Sequence, residues 1–226
     1  MTRRALAAAL LCLLAGVAAH AQSDEPPLLQ EAVSSAELPP MASRLPKVPF
    51  RVDFESAGRV PGRYGGDLRM LMAKDRDIRM MVVYGGARLV GYNEKLELAP
   101  DIVERYENVD DREFTFHLRP GHRWSDGEQF TSRDFRYYWE DVANNKMLAP
   151  IGLPQALMVN GKGPKVSFPD ALTVRYAWDG PNPLFLPALA GPSPLFIYRP
   201  AHYLKQFHAR YIGEDNAKAQ ATSARA

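Results

Sequence analysis

The run from Glu113 to Asp141, EFTFHLRPGHRWSDGEQFTSRDFRYYWED, constrains this chain more than any other stretch. Phe114, Phe116 and Leu118 alternate with Thr115, His117 and Arg119, the period of a half-buried strand. Pro120-Gly121 ends it, because proline sets one dihedral and glycine frees the next. Asp126-Gly127 marks a second tight turn beside a second short strand. Thr131 with Asp134 three residues on reads as an N-cap with a carboxylate near the orphan N–H groups of a new helix. Phe135, Tyr138, Trp139 and Val142 then follow at i, i+3, i+4 and i+7, which predicts one apolar helix face.

The same stretch resembles the signature segment of the extracytoplasmic solute-binding proteins of peptide and nickel ABC importers. Thr115, Phe116, Leu118, Arg119, Gly121, Trp124, Asp126, Gly127, Phe130, Thr131, Asp134 and Phe135 match that pattern without a gap, and Ser132 stands where Ala is common. Each matched residue also has a structural explanation. The segment identifies the family without being its ligand site.

Outside it, Gly65, Gly66, Leu68 and Arg69 are similar to the Gly-Gly-x-Leu-Arg strand that opens the family's first lobe. The pair lacks the G-x-G-x-x-G spacing of a dinucleotide site and the Lys-Ser/Thr of a P-loop. Residues 77–90 read as a helix with Met80, Met81 and Tyr84 on its stripe. Leu89 to Asn93 and Leu96 to Ile102 read as two short strands around Asn93-Glu94-Lys95, and Asp110-Asp111 as the hairpin turn into Glu113. Residues 143–164 read as a loop. Strands are expected at Lys165 to Phe168, Leu172 to Trp178 and Leu195 to Tyr198, with short helices at Leu184 to Leu189 and from Pro200. The polar, Ala-rich residues from Asn216 to Ala226 carry no apolar stripe and read as a disordered end.

The first residues read as an address. Arg3 and Arg4 precede an apolar run from Ala5 to Ala18, and Ala19-His20-Ala21 is a small-x-small cleavage site. The run is shorter than the roughly 20 residues a spanning helix needs. Cleavage before Gln22 and a periplasmic location are expected, with Sec and twin-arginine export both open. Cys12, the single cysteine, leaves with the leader, so the mature chain has no disulfide. Losing Arg3 and Arg4 brings the 28 basic residues level with the 26 acidic ones, which gives nucleic-acid binding no support.

The expected organisation is therefore a leader at 1–21, a Pro/Ser-rich arm at 22–62 and the start of lobe one at 63–90. A β-rich subdomain is inserted at 91–165, lobe one resumes at 166–213, and a disordered tail covers 214–226. The expected fold class is α/β in the broad sense, a mixed α+β lobe resembling periplasmic binding proteins, incomplete because the second lobe is absent. Its family would be a peptide or small-solute binder that serves an ABC permease, works as a monomer and needs no cofactor or metal. A remnant or partner-docking fragment is the alternative. A secreted hydrolase is disfavoured, because no catalytic constellation can be assembled: Ser125-Asp126 is turn chemistry, and His117 and His122 lack metal-ligand spacing.

Ligands of an α/β lobe sit beyond the C-terminal ends of strands. The loop after the expected opening strand, with Met72, Lys74, Asp75, Arg76 and Arg79, offers charges for a ligand's termini, and Tyr84 an amphipathic surface. These six residues are the candidate ligand site.

Overall fold

The computed structural model describes residues 25–54, 58–67, 69–75, 77, 86–191 and 195–224. The expected leader lies outside them. The chain divides into two compact units, one ending at Ser43 and one beginning at Arg44. In the first, a 3-10 turn at Pro27–Leu29 leads into α1 (Gln30–Ser34), and α2 (Met41–Arg44) starts near its end. None of these turns buries a residue. The Pro-rich composition has too little apolar surface to offset the entropy of ordering a core.

The second unit is built on two antiparallel sheets. β1 (Val90–Tyr92) pairs with β2 (Leu98–Pro100), and the Asn93 side chain closes their turn by accepting from the Lys95 and Glu97 amides at 2.9 Å. β3 (Val103–Val109), β4 (Glu113–Leu118), β5 (Lys165–Asp170) and β6 (Thr173–Ala177) make a four-stranded sheet of order β3-β4-β6-β5. Asp110 and Asp111 both sit at φ 53°, as the two central residues of a hairpin turn matched to strand twist must.

Period-two patterning sets the two faces of this sheet. Phe114, Phe116 and Leu118 of β4 are buried, and across from them lie Tyr176 and Val174 of β6. α3 (Ser132–Tyr137) and α4 (Phe185–Ala190) cover that face. The other face is wet: Arg105 and His117 both meet Glu107, and Glu113 pairs with Arg175. One packed and one solvated face is the usual state of an antiparallel sheet.

Tyr176 is fully buried, and its hydroxyl has no hydrogen-bond partner among the described residues. Burial pushes the phenol well above its usual range. A buried hydroxyl without a partner costs stability, so Tyr176→Phe is expected to raise unfolding free energy by about 1 kcal/mol in urea denaturation. A loss instead would show that the hydroxyl is satisfied.

Several expectations are corrected. The described part of 63–72 forms no strand, and Gly65 and Gly66 take the positive φ of turns, 110° and 81°. Of the helix expected at 77–90, residues 78–85 lie outside the described residues. Its end is not helical: Arg88 exchanges backbone and side-chain bonds with Asp101 and Ile102, and Val90 enters β1. The second strand of the signature is a single bridge between Arg123 and Gln129. Leu195 to Tyr198 is extended, with Ile197 and Tyr198 buried, but it joins no ladder. The expected loop at 143–164 holds a 3-10 turn at Gln155–Leu157 and a tight Asn160-Gly161 turn closed by a Val159–Lys162 bridge. The boundary expected at Lys165 falls inside the four-stranded sheet, because β6 pairs directly with β4. The tail expected to be disordered is helical from Glu214 to Ser223, because alanine favours helix even without an apolar stripe.

α3 itself runs as expected at its start and differently at its end. From Tyr138 to Ala143 it widens into the i→i+5 pattern of a π-helix. The extra residue per turn rotates the face. Phe135 and Tyr138 are buried as the stripe predicts, but Trp139 and Val142 are only half-buried, and Asp141 and Ala143 turn inward in their place. After Tyr198 come α5 (Ala201–Leu204), a 3-10 turn (Lys205–Phe207), α6 (Ala209–Ile212) and α7 (Glu214–Ser223).

Candidate functional site

The signature residues converge on Asp134. Its side chain is buried at 3 % exposure and accepts from the Thr131 amide at 2.9 Å, the Trp124 indole at 3.2 Å and the Ala201 amide at 3.0 Å. Its carbonyl accepts from the Arg199 amide at 3.2 Å. One carboxylate thus fixes the Asp126-Gly127 turn, the start of α3 and the start of α5. The Thr131 hydroxyl accepts from the Arg133 amide at 3.3 Å and completes a reciprocal capping box. Thr131→Ala should lower stability by about 1 kcal/mol in thermal or urea denaturation. No change would mean that the cap is not formed in solution.

Aromatic rings fill the space beside this hub. Phe130 lies 5.5 Å from Trp124, 5.5 Å from Phe135 and 5.0 Å from Tyr198 between centroids. Burial pushes the Tyr198 phenol up to about 12 and lowers the His122 imidazole at the edge of the cluster. The cavity left between His122, Trp124, Phe130 and Tyr198 is only about 90 Å³. Above the hub, His202 donates to Asp126 at 2.6 Å and holds its carboxyl below the usual range.

Arg119 has a similar role on the other side. It is buried and donates to the carbonyls of Asp101 and Val48, both at 3.2 Å. Its guanidinium lies 5.8 Å from the Phe50 ring. The segment before Phe50 therefore lies along the signature turn, where the Lys47 amide donates to the Pro120 carbonyl at 3.0 Å. Gly121 is favoured here by its backbone: its φ of 81° is one that L side chains rarely adopt. The matched motif is thus a frame of turns, caps and packing.

Of the candidate ligand residues, Met72 is half-buried, and Lys74 and Asp75 are exposed. Lys74 and Asp77 close a turn through two hydrogen bonds of 3.1 and 3.0 Å. Arg76, Arg79 and Tyr84 lie outside the described residues. The cavities beside Trp178, Thr131, Tyr137 and His122 are lined by other residues. A cavity of about 330 Å³ lies instead beside Trp178, lined by Asn160, Lys162, Lys165 and Asp179. A groove of about 710 Å³ runs between Tyr137, Val142 and Leu148 on one side and Phe207, Ala217 and Lys218 on the other. Sequence reasoning missed the groove and its charged border. Asp141 accepts from Arg210 at 2.5 Å and from the Tyr211 hydroxyl at 2.7 Å, contacts made across some 70 positions of chain that no local pattern signals.

Among the described residues no group of three or more His, Cys, Asp or Glu side chains is placed to hold a metal ion. No described helix is long and apolar enough to cross a membrane.

Comparison with known proteins gives this frame its context. The chain is 27% identical over 208 residues to the periplasmic alpha-galactoside-binding protein of Rhizobium meliloti, covering 80% of this chain and 29% of that protein. It is 33% identical over 110 residues to the periplasmic murein peptide-binding protein MppA of Escherichia coli, covering 43% of this chain and 20% of that protein. Among solved structures, an oligopeptide-binding protein OppA superposes with a TM-score of 0.74 at 30% identity, over 87% of this chain and 30% of that one. The chain thus spans less than a third of the length of these relatives. Its residues 97–223 match the family of bacterial extracellular solute-binding proteins, family 5, in its middle region. With the signature frame and more than half of its residues within that match, this chain belongs to the family 5 bacterial extracellular solute-binding proteins.

Proposed function

We propose that this chain contributes to the capture of a peptide or similar small solute outside the cytoplasmic membrane, for delivery to the permease of an ABC importer. The observation that carries the reading is the likeness to an oligopeptide-binding protein, at 30% identity and a TM-score of 0.74 over 87% of this chain. The relatives' names describe binding and a periplasmic address, and the leader-like residues Arg3 to Ala21 support the same compartment for this chain. The role proposed here is binding without catalysis. In this reading Met72, Lys74, Asp75, Arg76, Arg79 and Tyr84 face the solute, and their mixed charges suit the two termini of a peptide.

A second reading is an α-galactoside ligand, favoured by the 208-residue alignment to the alpha-galactoside-binding protein. Native mass spectrometry of the chain joined to a second lobe of its family, exported and drawn gently from the cell envelope, followed by release of the bound small molecules, separates the two. Peptides are the expected release. Oligosaccharides in their place would overturn the peptide reading in favour of the second.

A further inference from the structure

We propose that residues 208–224 form a cover that opens as one unit, without unfolding of the sheet, and uncovers the aromatic side of the π-turn. This inference does not rest on the peptide reading. α6 and α7 bury no residue of their own. A polar cluster around one carboxylate holds α6, and α7 rests on α6 and on the turn Lys205–Phe207. Asp141, at 4 % exposure, accepts from the Arg210 guanidinium and the Tyr211 hydroxyl, and its carbonyl accepts from the His208 Nε2–H at 3.2 Å. His208 Nδ1 in turn accepts from the Arg210 amide at 3.2 Å and caps α6. Lys205 lies over the Tyr211 ring at 4.8 Å.

Beneath this cluster lies Tyr137. It is buried, and the rings of His208 and Tyr211 stand 6.0 and 6.4 Å from its own. Ahead of the cover Ala201 is buried and its amide is held by Asp134. Residues 202–207 bury nothing and beyond them only His208 is buried among the described residues, so after Ala201 the attachment passes from buried packing to a few polar ties. Gly213, at φ 81° and ψ 158°, makes the turn that sets α7 against α6, a conformation only glycine takes without strain. Segments with few buried apolar contacts open at lower free energy than the core they rest on. When this one opens, one wall of the groove leaves and Tyr137 meets solvent.

Hydrogen exchange of the exported chain under native conditions, read by mass spectrometry, tests this. Amides of 209–224 should exchange at least about a hundredfold faster than those of β4 and β6. Arg210→Gln, at a side chain 63 % exposed and therefore compatible with folding, should speed exchange of the cover by about tenfold and leave β4 and β6 unchanged. Nitration of Tyr137 by tetranitromethane should rise in the same variant. Equal protection of cover and sheet would overturn the proposal, as would equal acceleration of both by the variant. Rapid exchange of 209–224 with Tyr137 still unreactive would also overturn it, because the helices would then fray without uncovering anything.

Discussion

Asp134→Ala is expected to lower the unfolding free energy by about 4 kcal/mol, because hydrogen bonds to a charged acceptor contribute about 1.5–3 kcal/mol each and do not add fully. The substitution orphans three donors at once: the Trp124 indole, the Thr131 amide and the Ala201 amide. None of the three can simply turn to water, since the carboxylate they share is buried. The neighbouring variant Thr131→Ala removes only one weaker bond, so the ratio between the two is itself informative. Urea denaturation read by tryptophan fluorescence measures both. Similar small losses at the two positions would mean that Asp134 is not the junction of turn, helix α3 and helix α5.

Phe185→Ala should lower stability by about 3–5 kcal/mol, the usual range for removing a buried aromatic ring from a packed core. Phe185 is fully buried and lies 5.2 Å from Phe114, 6.0 Å from Phe116, 5.2 Å from Tyr176 and 4.9 Å from Trp178 between ring centroids. It is the ring through which α4 closes the inner face of the sheet. The cavity would open between both central strands, where neither can collapse without breaking its ladder. Calorimetric unfolding of the variant checks the value, and a loss below about 1 kcal/mol would place α4 away from the sheet.

What could be read in advance was local. The alternation in β4 is carried by six consecutive residues, and its faces follow from side-chain geometry alone. The Thr131–Asp134 box and the Asp110-Asp111 turn are likewise closed within a few residues. Features that depend on distant partners were not legible. The pairing of β4 with β6 joins residues about sixty positions apart, and so places the expected subdomain boundary inside a sheet. The Gly65-Gly66 segment has the residues of a strand, but strand formation needs a neighbour that a sequence pattern does not supply. The π-turn shifted the helix face by inserting one residue per turn, which a 3.6-residue period cannot anticipate. Asp141 lies off the apolar stripe of that period, yet it is buried and anchors the start of the C-terminal helices. The family was legible for the opposite reason. Its signature is a dense set of turn, cap and packing residues, each needed for a local contact that the fold then reuses.

The central claim is that these residues form a frame belonging to a solute-binding protein and do not hold the solute by themselves. Proteins that close two lobes on a hinge draw affinity from contacts made by both at once. A single face buries less of the ligand while still restraining its translation and rotation. The most direct test is a pair of calorimetric titrations with a mixed peptide pool, one on residues 22–226 and one on the same chain joined to a second lobe of its family. The expected result is weak or undetectable heat from the first and saturable binding by the second. Tight binding by residues 22–226 alone would contradict the account, and an inert two-lobed chain would remove peptides as its ligands.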